Sequence, residues 1–156
     1  MAEQVTQRGG VSIDARVLEA VQLALSADKE VARERLHEAW RSLSEDDAFH
    51  RCVVAHYLAD VQPLAIDELK WDQRALDAAL SCSPAAFEER MPGVTKSAFL
   101  PSLHLNLAAS LERVGHVAAA KVEAAAARDQ LRSLVETPLG ELTRGAVLRL
   151  CERLGA

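Results

Sequence analysis

The chain has 156 residues, 49% of them hydrophobic but only 4% aromatic, and a net charge of −5. That length suits one compact domain, and the acidic balance gives no electrostatic reason to approach phosphate backbones or anionic lipid, which disfavours nucleic-acid and membrane partners. No apolar run is long enough to cross a bilayer and no leader-like segment opens the chain, while three scattered cysteines, Cys52, Cys82 and Cys151, read as reduced thiols of a cytoplasmic protein.

Much of the apolar share is Ala and Leu, which lose little on entering a helix, so the pattern predicts helices throughout. Residues 1–11 are polar, contain a Gly-Gly pair and show no periodicity, and are expected to be a loose tail. Ser12 is placed to cap a first helix reaching about Ala27, with Val17, Ala20, Val21, Ala24 and Leu25 on one stripe. Asp28 caps a second helix through about Leu43, with Val31, Leu36, Ala39 and Trp40 apolar. Ser44 followed by Glu45, Asp46 and Asp47 is the strongest start signal, predicting a third helix to about Ala59. Pro63 interrupts the pattern, and a fourth helix runs from between Leu64 and Glu68 to about Leu80, stopped by Ser83-Pro84.

From Pro84 to Lys96 regular structure is weakest, with a short helical turn around Phe87 and then a Met91-Pro92-Gly93 turn. The next helix either carries Pro101 in its first turn or starts near Thr95 and kinks at Pro101. Gly115 divides this helix from another that ends near Leu134, since glycine adopts the left-handed conformation at a helix end without strain. Thr137-Pro138-Leu139-Gly140 is a turn, and a final helix spans about Glu141 to Leu154. The predicted class is all-α.

A period underlies these elements. Ala108, Ala120 and Ala127 are spaced by twelve and seven residues, and Ala20, Ala32 and Ala39 repeat the same two intervals. Leu23 stands to Ala20 as Leu111 stands to Ala108, and Leu107 fills the seam beside it. Small residues at those spacings let two antiparallel helices approach closely. On these residues and Gly115 the chain resembles the tetratricopeptide repeat, a helix–turn–helix unit of about 34 residues. The close Ala79-Leu80-Ser81-Cys82-Ser83-Pro84 resembles the end of a middle unit, although Asp72 stands where that family wants alanine. The run Phe99 to Leu107 resembles small bacterial members of unassigned role. The resemblance implies a right-handed α–α superhelix of three degenerate hairpins, at about 12–43, 44–83 and 96–134, within a single domain over 12–156. A helix at about 141–154 would cap the last repeat, its stripe being Leu142, Ala146, Val147, Leu150, Cys151 and Leu154.

Few residues suggest chemistry. Cys52 and His56 share a helix face with His50 nearby, but a second pair of metal ligands is lacking, so neither metal nor cofactor is expected. Glu45-Asp46-Asp47 is explained by helix-start electrostatics, and no phosphate loop, nucleophile elbow or metalloprotease motif is present. The arginines of the last third, among them Arg128, Arg144 and Arg153, are expected to serve helix ends and solvated faces. The resemblance implies a concave face built from the first helix of each hairpin. Val17, Val21 and Ala24 come from the first unit, and Phe49, Cys52, His56 and Asp60 from the second. Ser102, Leu105, Asn106, Ala109, Glu112 and Arg113 come from the third. The expected function is a non-enzymatic module that binds a protein or peptide partner. A structural homo-oligomer, such as a homodimer joined through the groove or the last helix, is the alternative, and a small-molecule enzyme comes third.

Overall fold

A computed structural model of the chain describes residues 13–26 and 28–156. The expected tail over 1–11, the Ser12 cap and the helix end at Ala27 lie outside the described residues. Within them the protein is all-helical, with eight α-helices, one 3-10 turn and no strand.

The helices are α1 (Ala15–Ala24), α2 (Lys29–Ser42), α3 (Ala48–Asp60), α4 (Ala65–Ser81), α5 (Pro84–Arg90), α6 (Lys96–Arg113), α7 (Val117–Asp129) and α8 (Pro138–Leu154), with the 3-10 turn Leu131–Ser133 before α8. Side-chain caps fix most of the starts. Asp14, Asp28, Ser83, Thr95 and Thr137 each accept a backbone N–H from the first turn of α1, α2, α5, α6 and α8. The α3 start differs from the expectation. Ser44 only accepts the Asp46 N–H in a turn, and Asp47 is the cap, accepting the His50 N–H. The last helix begins a turn earlier than expected, with Pro138 in its first turn, where a missing N–H costs nothing.

Between α4 and α6 the chain forms a seven-residue helix, α5, where only a helical turn was expected. Its Phe87 joins Phe49 and Cys82 in a small core of its own. Of the two placements open for Pro101, the helix-interior one is found, since α6 starts at Lys96. Gly115 ends α6 with φ +84°, while the His116 N–H reaches Leu111 O and the Gly115 N–H reaches Glu112 O. That pattern satisfies carbonyls that would otherwise be orphaned at the helix end.

Packing follows the chain. α1 lies against α2, α3 against α4, and α6 against α7, while α1 and α2 also meet α3, and α4 meets α6. One core runs through the first two pairs, from Val17 and Leu36 to Leu58, Leu76 and Leu107. Trp71 is buried there, edge-on to half-buried Trp40 at 5.0 Å, with the guanidinium of Arg51 over Trp40 and that of Arg74 over Trp71. A second core joins Ala108, Ala120, Ala124 and Ala127 to Val147, Leu150, Cys151 and Leu154 of α8. The alanines therefore sit at a helix contact, and α8 covers the outer face of α7. Leu142 departs from the expected stripe: it is 68% exposed, and Ala146 is half-buried.

Candidate functional site

One side of α1, α3 and α6 lines a groove of about 690 Å³. α6 provides its floor with Ala98, Phe99, Ser102, Leu105 and Asn106, a spacing that keeps them on one helix face. α3 adds Val53, His56 and Tyr57, and α1 adds Leu18 and Val21, with Ile13 just ahead of it. Two non-repeating segments close the sides. Met91, Gly93 and Val94 follow α5, and the stretch from Leu134 to Thr143 runs along the opposite rim.

Local chemistry holds these walls in place. Gly140 allows the second wall to lie close, because a Cβ there would stand 2.1 Å from the Val135 carbonyl oxygen. Thr137 caps the helix start beside it, accepting the Gly140 N–H at 3.1 Å. The α1 wall is tied down through His50, whose Nε2 accepts the Asp14 N–H at 3.0 Å. Phe99 stands edge-on to His56 at 6.1 Å and packs against Phe87 at 5.6 Å, linking α6 to α3 and α5.

Among the described residues, none that lines the groove is an Asp, Glu, Lys or Arg. The titratable ones are neutral at pH 7: burial holds His56 below the ordinary imidazole value against the opposing pull of the Asp60 carboxylate, and burial with Asp60 pushes Tyr57 up. Asn106 donates from Nδ2 to His56 Nδ1 at a long 3.4 Å, which leaves the imidazole proton on Nε2. The groove is apolar with a small polar centre.

Of the residues expected to face a partner, Val21, His56, Ser102, Leu105 and Asn106 line this groove. Val17, Phe49 and Cys52 do not. They are buried in the helix-to-helix cores, Cys52 with no exposed surface at all, because α3 is enclosed on almost every side. Ala24 and Ala109 are half-buried and Asp60 is exposed, and none of the three lines the groove. Glu112 and Arg113 turn to other helices, Glu112 taking both hydrogen bonds from Arg153 and Arg113 pairing with Glu68. The side walls were missed in the sequence because 91–94 carries no helical period and the first turn of α8 reads as a loop. A weak signal was present in the concentration of Met, Pro, Gly and Val over 91–94.

Other candidate groups have structural roles. Burial pushes the Cys52 thiol up to about 12, and Cys82 is raised by the same cause, so neither is a thiolate at neutral pH. His50 uses both ring nitrogens, His104 holds Glu123 at 2.7 Å, and no three His, Cys, Asp or Glu among the described residues converge to hold a metal. Arg128 reaches the Ala156 carbonyl, and Arg144 the Leu131 carbonyl. Among the described residues no helix is long and apolar enough to cross a membrane. No family model, curated protein or solved structure matches the chain, so the groove itself carries the functional reading.

Proposed function

We propose that the protein is a non-enzymatic interaction module, a tetratricopeptide-like stack of three hairpins closed by α8, whose groove holds a protein or peptide partner. One observation carries this reading. The faces of α1, α3 and α6 join into one apolar groove that the described residues line without charge and do not fill. A concave, mostly apolar surface with a few convergent polar groups is the usual setting for a bound ligand. The groove's titratable side chains, His56 and Tyr57, have no carboxylate or thiol beside them in the described lining, which favours binding over catalysis.

Affinity capture from native cell extract tests the proposal, with wild type compared against His56→Ala/Leu105→Arg. A partner retained by wild type and lost by the variant supports it. Equal recovery by both would remove the groove as the binding surface.

A second reading has its own support. Val135, Leu139 and Leu142 are exposed along the outer rim and the start of α8, a patch suited to a second copy of the chain. Sedimentation of wild type distinguishes the two, since a homo-oligomer that falls to monomer with Leu142→Arg would favour self-association.

A further inference from the structure

We infer that the groove takes an extended, uncharged stretch of polypeptide, whose backbone amide groups pair with His56 and Asn106. This deepens the peptide-binding reading and rests on it.

The first constraint is charge. With no charged side chain among the described lining residues, a carboxylate or ammonium seated there would lose its water and gain no partner from them. Occupants with charge along the bound stretch are therefore selected against. Charge-clamped tails, which need a cationic pocket, do not fit this surface.

The second constraint is the polar centre. The Asn106 donation leaves His56 Nε2 as an N–H donor and Asn106 Oδ1 as an acceptor. Neither atom has a partner among the described residues, and neither belongs to the buried unpartnered atoms, so both remain open. A donor and an acceptor on adjoining side chains, set among Phe99, Leu105 and Val53, complement the C=O and N–H of a peptide backbone. A helix satisfies those groups internally and would leave the pair unanswered. An extended segment presents them, and its alternate side chains face the apolar walls. The volume, about 690 Å³, has room for a few residues and not for a folded domain.

The test uses the full-length chain and a phage-displayed random dodecapeptide library, followed by synthetic peptides with acetylated and amidated ends. Enriched sequences should be uncharged over the bound stretch. Methylating single backbone nitrogens of the best peptide should reveal one position where affinity falls at least about tenfold, the size of one lost hydrogen bond. Asn106→Ala should lower affinity by a similar factor and abolish that position's sensitivity. Leu139→Arg, on a rim position 74% exposed and safe for folding, should weaken binding by putting a charge at the groove mouth. Enriched peptides with essential charges, or a methylation scan without any sensitive position, would overturn this inference and leave the peptide-binding reading standing. A library that yields no peptide sensitive to Leu139→Arg, with the chain sedimenting as a dimer through the groove, would overturn both.

Discussion

His50 and Asp14 meet across 36 residues of sequence, the imidazole Nε2 accepting the backbone N–H of Asp14 at 3.0 Å while its Nδ1 donates to Asp47 at 2.8 Å. Both ring nitrogens are thus used by a buried, neutral side chain of fixed tautomer. Asp14 caps α1 and Asp47 caps α3, so this one histidine aligns two helix starts.

His50→Phe should keep the volume and lose both bonds, costing about 1–3 kcal/mol in denaturant unfolding. Amide exchange should quicken first in α1, loosening the groove wall that carries Leu18 and Val21. Uniform quickening over the whole chain would mean that the histidine does not specifically anchor α1.

Asp72 gives a pH prediction. It is 3% exposed at the α4–α6 seam, and its Oδ2 has no hydrogen-bond partner. Burial pushes its carboxyl up to about 7; the Ser110 hydroxyl pulls the other way, Glu68 and Asp60 add to the rise, and Arg113 opposes it. Unfolded chains release this proton above roughly pH 4, whereas the folded protein holds it until near 7. In that window the folded state binds more protons, so the group lowers stability as pH rises, by at most about 1.4 kcal/mol per pH unit. Asp72→Asn should therefore gain on wild type steadily from about pH 4 to 7 and hold its lead above that. A difference that stays flat across the range would show that Asp72 titrates normally.

Ala120 lies at the α6–α7 contact with no exposed surface. Ala120→Leu should overpack the seam and cost about 1–3 kcal/mol, while Ala118→Leu on the exposed side of the same helix changes little. Equal thermal midpoints for the two variants would remove Ala120 as a contact.

The two leucines of α8 separate its faces. Leu150 is 3% exposed among Ala124, Ala127 and Leu131, so Leu150→Arg buries a charge and should unfold the monomer at a clearly lower temperature. Leu142→Arg, on the exposed side, should leave the stability within about 0.5 kcal/mol of wild type. Paired melting curves decide it. Undiminished stability of Leu150→Arg would place this helix in another role.

Local signals made much of the fold legible. Asp28 and Gly115 marked a helix start and a helix end by cap chemistry, and alanine spacing marked the α6–α7 seam. Ser44 misled because it and Asp47 are both competent caps, and only the fold decides that the turn between them delays α3. The groove was half legible: the α6 stripe is periodic, and Ser102, Leu105 and Asn106 lie on it. Cys52 was misplaced because the residues of α3 are apolar on nearly every side, so no period identifies the face toward solvent. Long-range partners such as His50 with Asp14, or Arg153 with Glu112, leave no trace in local spacing.

The claim that the groove is where a partner sits is tested most directly by site-specific photocrosslinking in native cells. A benzoylphenylalanine replaces Leu139 on the groove rim or, separately, Val122, which is 66% exposed on α7 and lies outside the groove. The expected result is one discrete adduct from position 139, heavier than the chain alone, that disappears when Leu105→Arg is added, and none from position 122. The same adduct from both positions, or adducts from 139 that persist with Leu105→Arg, would contradict it.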